Sequence, residues 1–200
     1  MNNIFIIASI GGCGSVMLYK YLSNYCETYH FHWMEPPKNI EDLNLNLSPN
    51  KKIIVLYIYR NPIEITLSRY YDKDRLKILN ISDDIINMEF DNFLDDKNDL
   101  HCLEEIYDNH VNKSINNNYD IIAIKYEDFF DKQYEFKELL GLDDTVEFPQ
   151  KNERTFAQKD IKTQHTEEYI KYKLSQKYFS LIEKMNNINF ITIIKKSDKK

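Results

Sequence analysis

Three groups of residues in this chain are of types that do chemistry. The first is Gly11-Gly12-Cys13-Gly14-Ser15. The chain uses only four glycines, and three of them sit in this turn. Glycine lets a backbone take left-handed angles and approach a ligand closely. Where such a turn opens a helix, the N–H groups of Gly12–Val16 and the positive end of the helix dipole suit an anion. The alternative is a tight strand-to-helix turn that holds nothing. The second group is Arg60 and Ser68, in the run Tyr59-Arg60-Asn61-Pro62-Ile63-Glu64-Ile65-Thr66-Leu67-Ser68. A guanidinium and a hydroxyl together make a phosphate clamp. The alternative pairs Arg60 with a nearby acid and leaves Ser68 on the surface. The third is His30-Phe31-His32. In an extended segment His30 and His32 share a face. Histidine is the side chain best suited to moving a proton at neutral pH. Either histidine can also be satisfied simply by hydrogen bonds at a sheet edge. The pair lacks an evident third ligand, so no metal site is expected. His101, His110 and His165 have only helix or loop contexts and are given no role.

The elements that must position these groups are legible from patterning. Asn3–Ser9 is a β-branched and aromatic run that reads as a buried strand. Ser15–Tyr25 follows at helical spacing, so the glycine turn joins a strand to a helix. Thr28–Trp33 reads as a second strand, stopped by Pro36-Pro37. Ile53–Tyr59 is continuously apolar, as expected at the centre of a parallel sheet covered on both faces. Arg60 then stands at the carboxyl end of that strand, where open α/β sheets bind ligands. Pro62 suits a first helical turn, and a helix is expected over Ile63–Tyr71. Asp72–Lys97 is charged and irregular. Leu100–Ser114 patterns as an amphipathic helix, and Asp120–Lys125 as a strand. Phe129–Leu140 is expected to hold short helices ended by Gly141. Phe148–Gln164 reads as a loop. Glu167–Met185 patterns as one last helix with Thr166 as N-cap, and Asn189–Ile194 as a short edge strand. Alternating strands and helices argue for a βαβ sheet with right-handed crossovers. The length of 200 residues and the absence of a linker or repeat suggest one domain over residues 1–194, with 195–200 a charged tail.

Composition narrows the function classes. A net charge of −6 is unsuited to wrapping duplex nucleic acid, whose affinity depends on phosphate neutralisation. The three cysteines are odd in number and widely spaced, so neither a disulfide framework nor a zinc pattern is expected. The run Ile4–Ile10 is too short to span a bilayer and no basic segment precedes it. A cytoplasmic protein with no membrane span is expected. No lysine follows Gly14, so the Gly-Lys-Ser/Thr ending of a nucleotide triphosphatase or kinase loop is missing.

Taken in order, these motifs resemble the sulfotransferases, enzymes that use the sulfate donor PAPS. The segment YRNPIEITLSRYY is similar to the family pattern of Arg, x, Pro, then Ser followed by aromatics, and the Arg60–Ser68 spacing matches. The stretch Ile124-Lys125-Tyr126-Glu127-Asp128-Phe129, with the helix to Leu140-Gly141-Leu142, resembles another family segment. The resemblance spans Ile4–Leu142. It implies a three-layer P-loop NTPase-like α/β domain, with a central, mainly parallel sheet flanked by helices. It implies that Gly11, Gly12, Cys13, Gly14, Ser15 and Val16 hold the 5′-phosphosulfate of PAPS, and that Arg60 and Ser68 hold the 3′-phosphate. It implies PAP as product, a small-molecule or glycan acceptor bearing a hydroxyl or amine, and no metal. Family members often carry their general base near the second strand, which selects His32 over His30. Many close a late basic loop over the nucleotide, a role that falls here to Lys151 and Arg154. One departure bears on activity. The family carries Lys or Arg just before the small residue and glycine of the first loop, and Gly12 stands there. That cation stabilises the bridging oxygen as sulfate transfers, so its replacement leaves open a catalytically weak or inactive binding module of the same fold.

Overall fold

Strand β1 spans Asn3–Ser9 and β3 spans Lys52–Tyr59. In both, side chains of either parity are buried from Ile4 to Ser9 and from Ile54 to Tyr59. A strand whose two faces are both covered must be apolar throughout, which is why these runs do not alternate. The computed structural model describes residues 3–45, 47, 51–143, 147–151, 156 and 160–196. The architecture is α/β: a five-stranded sheet in the order β2-β1-β3-β4-β5, flanked by helices. Strand β2 is Glu27–Phe31, β4 is Ile121–Lys125 and β5 is Ile191–Ile194. The first four run parallel and β5 is antiparallel to β4. Buried side chains from the strands and the covering helices join in one hydrophobic cluster.

Helix α1 (Ser15–Leu22) leads from β1 to β2 on one side of the sheet order. The segment from β3 to β4 travels to the other side. It begins with α2 (Pro62–Tyr71), whose N-cap Asn61 accepts the Ile63 amide at 2.9 Å and whose first residue is Pro62. Neighbouring strands whose connections depart in opposite directions leave a crevice between their carboxyl ends. That crevice lies between β1 and β3, where Ser9 is the register partner of Ile58.

Several elements differ from their sequence-based expectations. Asp72–Lys97 contains three short helices, α3 (Asp74–Ile78), α4 (Asp83–Ile86) and α5 (Phe90–Asp95). Phe90, Phe93 and Leu94 anchor the last of these in the core, so packing supplies what the charged local sequence does not. Helix α6 (Leu103–Val111) is shorter than its apolar pattern, beginning after Cys102 at φ 54°. Helix α7 (Gln133–Leu140) ends at left-handed Gly141, as C-cap chemistry requires. The last helix is two: α8 (Glu167–Lys177) and α9 (Phe179–Asn186), turned at Tyr178 (φ −105°, ψ 20°). Thr166 caps α8 by accepting the Tyr169 amide. Strand β2 is an edge strand and ends at Phe31, so His32 follows an edge strand and not a central one. Among the described residues no helix is long and apolar enough to cross a membrane.

Candidate anion-binding and proton-transfer site

The glycine turn is built as its composition predicts. Gly11, Gly12 and Gly14 all have positive φ, between 74° and 79°. Two of them are also fixed by what they touch. A Cβ on Gly14 would overlap the Tyr126 ring. A Cβ on Gly12 would stand 3.2 Å from the Ser68 Cβ and 3.3 Å from its Oγ. Among the described residues, the amides of Gly12, Cys13, Gly14 and Ser15 donate to no protein acceptor. Four amides without a protein acceptor at the start of a helix suit an anion. Cys13 plays no nucleophilic part. It is fully buried, its thiol donates to the Gly11 carbonyl, and burial pushes its pKa up to about 12.

Arg60 meets this turn from the end of β3. Its Nη1 donates to the Gly12 carbonyl at 3.3 Å, and its guanidinium lies 4.7 Å above the Tyr126 ring. Tyr126 therefore touches both Gly14 and Arg60, so the glycine turn, the Arg60 segment and the Ile124–Phe129 segment converge on one ring. Glu64, one turn into α2, sits 3.7 Å from Arg60 Nη2. That loose pair is one interaction that an anion bound at Arg60 would compete with. Ser68 reaches the site through Gly12, on the face of α2 that looks back at the turn.

The histidines join the turn through two serines. His32 Nδ1 lies 3.1 Å from the Ser9 carbonyl and 3.2 Å from Ser9 Oγ. A carbonyl can only accept, so Nδ1 carries a proton, and the uncharged tautomer of this ring has its lone pair on Nε2. Ser9 Oγ donates to Ser15 Oγ at 2.7 Å, which directs the Ser15 proton to His30 Nε2 at 2.9 Å. Ser9 Oγ also accepts the Gly11 amide at 3.3 Å. The result is one continuous chain, His32–Ser9–Ser15–His30, tied to the first residue of the glycine turn. His30 suits its acceptor end. Burial, with a smaller contribution from His32, lowers its pKa to about 4, so at neutral pH it is uncharged. The two rings meet edge to face at 4.6 Å, as side chains two apart in an extended segment should.

Lys151 is exposed, three residues beyond Phe148, whose ring packs on Tyr21 of α1 at 5.0 Å and on Phe129 at 4.6 Å. Arg154 lies outside the described residues.

Ser9 and Arg69 escaped the sequence reading, and Ser15, named there for the anion, was not read as a bridge between the histidines. Ser9 is a polar residue ending a strand that is otherwise apolar, and Ser15 joins it to His30. Tyr126 was visible only as part of a motif. Arg69 is the clearest omission. It is fully buried, donates to the Ile10 carbonyl at 2.6 Å and the His101 carbonyl at 2.9 Å, and thereby pins the entry to the glycine turn. No carboxylate stands within ion-pair distance of it among the described residues, and burial lowers its pKa. The signal was present: Arg69 follows Ile65 by four on the apolar face of α2, where a charge is anomalous. Among the described residues no group of three or more His, Cys, Asp or Glu could hold a metal ion. Comparison with protein-family models, with curated proteins and with solved structures finds no match to this chain.

Proposed function

We propose that this chain is a sulfotransferase-like enzyme that moves a sulfuryl group from PAPS to a hydroxyl or amine acceptor, on a P-loop-type α/β domain. One observation carries the reading. Arg60, Ser68 and the glycine turn, 48 residues apart between Gly12 and Arg60, meet at the carboxyl ends of β1 and β3. In this reading the amides of Gly12–Val16 hold the 5′-phosphosulfate, and Arg60 and Ser68 hold the 3′-phosphate. His32 Nε2 removes the acceptor proton while the acceptor oxygen bonds to sulfur. The bond from sulfur to the bridging phosphate oxygen breaks, and PAP leaves with that electron pair. Proton transfer and positioned donors are what such a step requires.

A second reading, a PAP-binding module without transfer, is favoured by position 12. Its left-handed backbone (φ 74°) and its contact with Ser68 leave no unstrained place for the family's lysine or arginine. The test is titration with PAP and with AMP, followed by thermal unfolding. PAP a hundredfold above its Kd should stabilise the fold by about 2.7 kcal/mol. AMP, lacking the 3′-phosphate, should bind far more weakly. No stabilisation by PAP refutes both readings. PAP binding without turnover over a panel of phenols, alcohols, amines and glycans selects the second.

A further inference from the structure

A cavity opens at the same end of the sheet as the glycine turn, one strand away from it. It has a volume of about 180 Å³ and lies between the carboxyl ends of β3 and β4, under α9. One wall is apolar, made by Pro62 with Ile182 and Met185 of α9. The polar lining includes Tyr59, Lys125 and Glu127. Tyr59 and Lys125 are register partners on neighbouring parallel strands, so their side chains stand side by side.

The polar lining is incompletely satisfied. Tyr59 is fully buried, yet its hydroxyl has no hydrogen-bond partner among the described residues. Glu127 uses one carboxylate oxygen to accept the Asn61 amide at 2.7 Å, and its buried Oε2 has no partner among the described residues. Among the described residues Lys125 Nζ has only a long contact, 3.5 Å, to Asn186 Oδ1. Leaving a buried carboxylate oxygen and a buried phenol unpaired is costly, and one occupant that pairs both removes the cost. Burial, reinforced by the nearby Tyr107, Glu127 and Asp128, raises the Tyr59 pKa, so the phenol stays protonated and can donate.

We propose that this cavity, lined by Tyr59, Lys125, Glu127, Pro62, Ile182 and Met185, binds an amino-acid-sized zwitterion with an apolar side chain. The ligand ammonium donates to Glu127 Oε2. The ligand carboxylate accepts from Lys125 Nζ and the Tyr59 hydroxyl. Its apolar side chain lies on Pro62, Ile182 and Met185. Neither a simple amine nor a simple carboxylic acid meets both charges, so each leaves one of them unpaired. The site is separate from the glycine turn and does not depend on what binds there.

The experiment is titration of the full chain with L-leucine, isoamylamine and 4-methylpentanoate, read by calorimetry and by the methyl NMR signals of Ile182 and Met185. L-leucine should bind saturably, move those signals, and bind at least about tenfold tighter than either singly charged analogue. Glu127→Gln keeps an oxygen for the Asn61 amide and removes the charge. Lys125→Met acts on the other charge, at a partly exposed position. Each should weaken L-leucine binding about tenfold or more. No saturable binding of L-leucine, equal binding of all three probes, or undiminished binding in both folded variants overturns the proposal, as does a cavity that holds water only.

Discussion

Gly14 and Tyr126 define each other: the absence of a side chain at position 14 is what lets the tyrosine ring lie against the turn. The same ring supports the Arg60 guanidinium. Gly14→Ala therefore imposes two costs, a left-handed backbone for alanine and a collision with Tyr126. Gly141 offers the control, since it too has positive φ (65°) but no atom within 4 Å of a built Cβ. Gly141→Ala should cost about 1 kcal/mol in urea unfolding. Gly14→Ala should cost clearly more, about 2–4 kcal/mol. Adding Tyr126→Ala should recover part of the difference as a coupling energy. Equal losses at the two glycines would show that the ring does not constrain the turn.

On the proposed function, Arg60 should dominate PAP binding. Arg60→Ala removes a charge-assisted contact and is expected to weaken PAP binding by about 2–3 kcal/mol. Glu64→Gln should act in the opposite sense, because its loose 3.7 Å pairing with Arg60 competes with a bound phosphate. That gain is smaller, about 0.2–1 kcal/mol, as for other partly exposed pairs. Calorimetry with PAP measures both. Unchanged affinity in a folded Arg60→Ala variant would remove Arg60 from the site.

The serine-linked histidines predict their own tautomers. At pH 7 nitrogen NMR should show His30 and His32 both protonated at Nδ1. Ser15→Ala breaks the chain at its centre and should change the His30 signals, while the Ser9 carbonyl still holds His32. If the protein is an enzyme, His32→Ala should lower turnover by about a hundredfold or more and leave PAP affinity nearly unchanged. Loss of turnover with His30→Ala but not His32→Ala would exchange the roles.

Buried histidines should make the fold acid-sensitive. Burial lowers His110 and His30 to about 4 and holds His101 well below its ordinary value. Between the unfolded value near 6.5 and the folded values, the unfolded chain binds more protons. Stability present above pH 6.5 is therefore lost as pH falls toward about 4. His101 lies against Phe93 at 4.5 Å and Tyr70 at 5.7 Å, with both ring nitrogens unpartnered among the described residues. His101→Phe should flatten the slope by up to one proton, about 1.4 kcal/mol per pH unit. Urea midpoints at pH 7, 6 and 5 decide it, and an unchanged slope would show that His101 does not titrate on unfolding.

Local patterns in the sequence determine the strand–turn–helix at Ser9–Ser15, the central strand ending at Arg60 and the cap at Thr166. They do so because burial on both faces, left-handed turns and N-caps are requirements met within a few residues. The placement of Arg60 at a strand's carboxyl end was legible for the same reason. The tertiary structure alone decided the rest. Only folding shows that Gly12 packs on Ser68, that Tyr126 fits over Gly14, and that Ser9 and Ser15 bridge the two histidines. It also decided that β2 lies at the sheet edge, that α8 and α9 part at Tyr178, and that Arg69 enters the core to hold Ile10. Each of these depends on contacts between residues distant in the chain. Their geometry is set by how whole elements pack, which no local pattern carries.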